Sequence, residues 1–237
     1  FNLINSSTIT STAISVTEVS NSGNLGTTAA ITTLTADKIY NSAKIGDSTK
    51  AVTTITATEI TNTGTNATIT ATAINGSGNN PKITNKDGGH IKSGNIGNSG
   101  VKLNIINKGK NSKIEVTAKI TATEISNTDG TITAKEIESD IDNSGKIGDA
   151  SKAVTTITAT EITNTGASAA ITATAINGSG AASKITNTSH GQITVTNITK
   201  GGGGLNITNQ TSASIKADTI DITNIDNSGA IGDANKA

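Results

Sequence analysis

Residues 45–78 read IGDSTKAVTTITATEITNTGTNATITATAINGSG, and residues 147–180 read IGDASKAVTTITATEITNTGASAAITATAINGSG. The two stretches match at 29 of 34 positions and lie 102 residues apart. A third copy opens at Ile231 with IGDANKA, where the sequence ends. A long internal period is the signature of a repeat architecture. The first long repeat runs 45–146, the second 147–230, and a truncated third starts at 231. This predicts that all of 1–237 is one segment of a longer array.

The two long repeats differ in length by 18 residues. They share the landmarks ITN, at Ile83 and Ile185, and LNI, at Leu103 and Leu205. The missing stretch therefore falls late in the repeat, around ITATEISNTDGTITAKEI (120–137). A globular core does not tolerate loss of such a block. A solenoid does when the block is one whole coil, because each coil touches only its neighbours.

Within the long repeat a shorter motif recurs: LTADKIYNSAKI from Leu34, ITATEITNTG from Ile55, IESDIDNSGKI from Ile137, IDITNIDNSGAI from Ile220. Each alternates apolar and polar residues and then meets a turn, as a short strand does. No helical period of useful length is present. These features predict an all-β chain: a right-handed parallel β-helix, or β-solenoid, with coils of about 18–22 residues. About twelve coils at ~4.8 Å each give a rod of roughly 55–60 Å. Ile, Val, Leu and Ala stack inward, while Thr, Glu, Lys and Asp stay wet. Outer Thr rows can bond coil to coil. Asn62, Asn127, Asn143, Asn164 and Asn227 precede turns and have two readings, a stacked amide ladder or ordinary turn chemistry.

Composition fits a narrow interior. The chain has one Phe, one Tyr, one Pro and no Trp, Met or Cys, where a globule of this size uses aromatics for bulk. Scarce aromatics also occur in disordered chains, but the ordered recurrence of Ile favours pleated strands. The 18 basic and 18 acidic residues balance. With no basic excess and few rings for base stacking, nucleic acid is not expected as a partner. A disulfide framework is excluded, and no apolar run reaches membrane-spanning length.

The chemistry-bearing residues are sparse. His90 and His190 lie in KDGGHI and TSHGQI and read as loop residues, because a metal needs more ligands at defined spacing. Gly201–Gly204 lacks the Asp of a calcium-binding repeat and reads as a turn or bulge. In the IGDxxKA unit, Asp47, Asp149 and Asp233 precede Lys50, Lys152 and Lys236 by three residues. The expectation is a polar turn with a weak Asp–Lys ion pair. Every basic residue counted is Lys, and no segment singles out a carboxylate pair for glycoside chemistry. No catalytic, cofactor-binding or metal site is expected, and the chain is not expected to be an enzyme. Asn5, Asn66, Asn75, Asn177, Asn187, Asn197, Asn206 and Asn209 each open an Asn-x-Ser/Thr glycosylation sequon.

The strings ISNTDGTITAKEI (125–137), NITKGGGGLNIT (197–208) and TSASIKADTIDITN (211–224) resemble the β-helical stalks of two-partner secretion exoproteins. That family includes filamentous haemagglutinin-like proteins and the high-molecular-weight adhesins. The resemblance covers most of the chain and rests on Asn-x-Gly turns, ITA strands and coils near 20 residues. It implies a secreted or bacterial cell-surface adhesin fibre, export through an outer-membrane transporter barrel, and a receptor on host or neighbouring cells. It also gives the sequons a use, because some members carry sugars there. The family's N-terminal secretion domain has no counterpart in this stretch.

Two further functions fit the repeats. Uncapped ends and near-identical coils suit a self-assembling extracellular filament or surface-layer component, with homo-association of the chain. Repeated T-x-T strings suit an ice-binding face, provided that coils are equal and in register. The 14-residue step from Ile55 to Ile69 stands against that register.

Overall fold

The computed structural model describes residues 1–98 and 100–232. They are all-β, without a helix, and their parallel strands stack as a solenoid of about ten turns. Each coil contributes one apolar residue to each of three stacks. The first runs Leu34, Ile55, Ile74, Ile96, Ile120, Ile137, Ile157, Ile176 and Ile198. The second includes Val19, Ile39, Ile60, Ile83, Ile105, Ile125, Ile141, Ile162, Ile185 and Ile207. The third includes Leu25, Ile45, Ile69, Ile91, Ile114, Ile132, Ile147, Ile171, Ile193 and Ile215. Nearly all these side chains are buried.

The physical cause is the match between side chain and spacing. Adjacent strands stand about 4.8 Å apart. At that distance one branched aliphatic group fills the gap above the next, and β-branching suits the extended backbone. Large rings would not stack in three columns around so narrow an interior.

Coil length varies more than the expected 18–22 residues. Successive equivalent asparagines are 16 residues apart at the shortest and 23 at the longest. The surplus leaves the stacks and bulges at corners: nine residues separate Ile74 from Ile83, where five separate Ile55 from Ile60. The 14-residue step from Ile55 to Ile69 is not a coil step, because the two residues belong to different stacks of the same coil. Ile55 sits on Ile74, and Ile69 sits on Ile45 and Ile91.

The length difference between the long repeats has a structural meaning. Asn62, Asn85, Asn107, Asn127 and Asn143 mark five coils of the first repeat, and Asn164, Asn187, Asn209 and Asn227 mark four of the second. One whole coil separates them. The steps of 21, 23 and 22 residues recur in both repeats. Steps of 20 and 16 in the first are then replaced by a single step of 18 in the second.

Candidate functional site

Twelve asparagines form one continuous column along the rod. Asn5, Asn21, Asn41, Asn62, Asn85, Asn107, Asn127, Asn143, Asn164, Asn187, Asn209 and Asn227 each occupy the second position after the second apolar stack. In every pair the earlier Nδ2 donates to the next Oδ1, at 2.7–2.9 Å. The same nitrogens also donate to backbone carbonyls. Asn107 reaches Ser112 O and Thr131 O, and Asn127 reaches Gly130 O and Lys146 O. The amides from Asn62 to Asn209 are fully buried. Among the described residues no buried side-chain polar atom lacks a partner, so the column meets the requirement for placing polar groups inside. Aligned amides in a low dielectric also polarise one another.

Glycine makes room for the column. A Cβ at Gly145 would run into the Gly130 carbonyl and the Asn127 amide, and one at Gly130 would meet the Asn107 amide. This is why Asn is followed by Ser-Gly or Thr-Asp-Gly at Asn143 and Asn127.

Of the two readings for asparagine, the ladder is the one observed for Asn62, Asn127, Asn143, Asn164 and Asn227. Seven further members join them; Asn21 carries the same Ser-Gly turn, and the other six do not. Their common signal is an aliphatic residue, any residue, then Asn, as in Ile83-Thr84-Asn85. That pattern also occurs at Asn98, Asn197 and Asn224, and only the coil period separates the ladder from these.

The ladder changes the standing of the sequons. Asn5, Asn187 and Asn209 are buried with their Nδ2 atoms committed to the next coil, so the folded chain cannot present them to a transferase. Asn66 and Asn206 are exposed, and Asn75, Asn177 and Asn197 are half-buried. Asn206 and Asn177 each accept one hydrogen bond, from Asn224 and Thr199 respectively.

The IGDxxK turn is held differently from the expected ion pair. Asp47 Oδ1 accepts from Thr49 N, Thr49 Oγ1 and Lys50 N, each at 2.8 Å. Asp149 does the same with Ser151 and Lys152. The hydroxyl and then the amide donors hold both carboxyls below the ordinary aspartate range. Lys152 instead approaches Glu115, at 3.9 Å. Asp233 and Lys236 lie outside the described residues.

His90 is not a loop residue. It opens the strand His90–Ile96, and its Nε2 lies 2.9 Å from Glu115 Oε2. Burial pushes the imidazole below its ordinary range, against the opposing pull of Glu115. Burial also acts to raise Glu115, but the His90 hydrogen bond and the charges of His90, Lys152 and Lys92 together bring it down. His190 sits in a turn at φ 70°. Gly201–Gly203 form a turn, as expected, and a Cβ at Gly201 would collide with the Gly178 carbonyl in the coil below.

A shallow furrow of about 460 Å³ crosses the rod where the corner loops are absent, lined by Lys102, Glu138, Asp140, Thr158, Thr160 and Ser179. Glu138 is bridged by Lys119 at 2.7 Å and Lys102 at 3.1 Å, and these two hydrogen bonds hold its carboxyl low. Asp140 Oδ1 accepts from the Thr160 and Glu161 amides. The furrow's charges are thus spent on neighbouring coils. Among the described residues no group of His, Cys, Asp or Glu is placed to hold a metal.

Outer hydroxyls pair locally rather than in rows, as Thr188 with Thr165 and Thr160 with Ser179. On the face beside the first stack, paired threonines occur at Thr33/Thr35 and Thr54/Thr56. Ala73 and Asn75 break the array in the next coil. No helix of the described residues is long and apolar enough to cross a membrane. No family model, curated protein or solved structure matches the chain.

Proposed function

We propose that this chain is a load-carrying segment of a bacterial surface fibre, a stalk that mediates attachment in the manner of two-partner secretion exoproteins. The observation that supports this most is the unbroken column of buried amides running beside three unbroken aliphatic stacks. Such a rod keeps its length and stiffness without disulfides or a thick core, as a spacer outside the cell must. The polar groups that line its furrow are already satisfied by neighbouring coils, which suits a structural role better than turnover of a substrate. On this reading an outer-membrane transporter barrel handles the chain during export, and a receptor on a host or neighbouring cell is the distal partner.

The test is immuno-electron microscopy of intact producing cells, with antibodies raised against the corner turns 47–50 and 149–153, where Ser48, Thr49 and all of 149–153 are exposed. Label on slender projections beyond the outer membrane supports the reading. Label confined to the cell interior overturns it.

A further inference from the structure

Opposite charges flank one corner of the rod over three adjacent coils, and in the coil of Asn143 they stand at the same height. Before the ladder turn, Glu124 and Asp142 are exposed in adjacent coils. Asp140, opposite Glu124 in register, is half-buried, with Oδ1 taken by the Thr160 and Glu161 amides and, among the described residues, no cation beside it. After the turn come Lys108, Lys110, Lys113 and Lys146, all exposed. Lys110, Lys113 and Lys146 rim a hollow of about 490 Å³ together with Asp129, Thr131 and Ser168. Among the described residues none of these four lysines has an acidic partner within ion-pair distance, and Glu124, Asp140 and Asp142 have no basic one, although ion pairs form elsewhere along the rod. Lys108, Lys110 and Lys113 follow Asn107 and Lys146 follows Asn143; in the coil between them Asp129 and Thr131 take the lysine side, with Thr131 stacked between Lys113 and Lys146. In this stretch the turn shrinks to its shortest form, Asn143-Ser144-Gly145-Lys146, so the corner is low between bulkier neighbours.

We propose that this corner pairs with the same corner of a second copy, the two rods lying parallel and in register. The geometry selects that arrangement. A two-fold axis along the rods carries Asp140 and Asp142 onto the partner's Lys146 and sets Glu124 at the level of Thr131, between the partner's Lys113 and Lys146, twice over, as an isologous contact requires. Reversing one rod would set acid against acid. A second copy fits better than a polyanion, because the acidic strip beside the lysines would repel a polymer of negative charge. Three or four coils cover only about 15–20 Å of axis, less than a standard interface needs, so the pairing is weak and salt-labile.

Sedimentation velocity on the purified chain tests this at about 0.01 M and about 1 M salt, where the screening length falls from roughly 30 to 3 Å. A dimer at low salt that becomes monomer at high salt is expected. The doubly reversed variants Lys113→Glu/Lys146→Glu and Asp140→Lys/Asp142→Lys are each expected to be monomeric alone and to pair when mixed at low salt. Mixing also shows that both have folded. Because the chain has no cysteine, Ser144→Cys reports the contact: on oxidation a pair joined at this corner cross-links. A wild-type monomer at low salt, a dimer indifferent to salt and reversal, or a monomer that captures poly-glutamate would overturn the proposal.

Discussion

Asn127 donates its carboxamide to Asn143 at 2.8 Å across a coil of 16 residues, and Asn164 donates to Asn187 at the same distance across 23. The bond is constant while the chain between its ends varies by almost half. The ladder thus acts as the register of the solenoid. Apolar stacks alone are permissive, because one Ile can slide over another at little cost. An amide cannot slip without leaving a buried donor and acceptor unmatched, at about 1–3 kcal/mol each.

Removing one rung should therefore cost more than its size suggests. Asn107→Ala deprives Asn85 of an acceptor and Asn127 of a donor, and strips the Thr131 carbonyl of its amide. A loss of about 2–5 kcal/mol is expected, from two or more orphaned groups. Asn66→Ala, at an exposed turn, should stay within about 0.5 kcal/mol. Denaturant unfolding of both variants is the check.

Deletion by whole coils should be tolerated. Removing residues 128–143 joins Asn127 to Ser144 and recreates the Asn-Ser-Gly-Lys-Ile turn, with Asn127 then donating to Asn164. A folded, shorter rod with an unchanged β-type circular dichroism spectrum is expected. Removing only 128–135 breaks the period and should yield aggregated or unfolded protein.

In the stacks, Ile125→Ala opens a hole between Ile105 and Ile141. Large-to-small changes at buried sites cost about 2–5 kcal/mol. Because each coil contacts only its neighbours, backbone hydrogen exchange should accelerate in the coils nearest the substitution and little at Ile55 or Ile193.

Acid should loosen the coils around His90. Its pKa is lowered by burial, so folding favours the neutral ring. That contribution is full above the ordinary histidine pKa and is lost as pH falls through that value toward the lower folded one. Glu115, also lowered, keeps its own contribution above the ordinary glutamate range and loses it as pH falls below. Glu115→Gln removes the negative charge that opposes burial and should lower His90 further. An NMR titration of His90 in both forms would show the shift, and an upward move would contradict the assignment.

Much of the fold was legible because Ile and Gly placement carries the period: one deleted block equal to one coil already implied a solenoid. Coil length was not legible to within a residue or two, since corner loops such as 75–82 add residues without touching the stacks. Five ladder asparagines stood out by their turns, while Asn85 and Asn107 did not, because their turns are Lys-Asp-Gly and Lys-Gly. The Asp47 turn misled in a different way: spacing places Asp47 and Lys50 near each other, but the backbone amides and Thr49 hydroxyl claim the carboxylate first. Glu115 drew no notice in the sequence, since its partners come from two distant segments, His90 and Lys92 on one strand and Lys152 in a later turn.

The most direct test of the ladder is hydrogen exchange of the asparagine side-chain amides, followed by NMR on the intact chain. Eleven carboxamides, those of Asn5 through Asn209 that donate along the column, are expected to exchange far more slowly than those of Asn66 and Asn98, with the slowest in the middle coils. Uniform exchange at the rate of free asparagine would contradict a buried amide column and the solenoid register built on it.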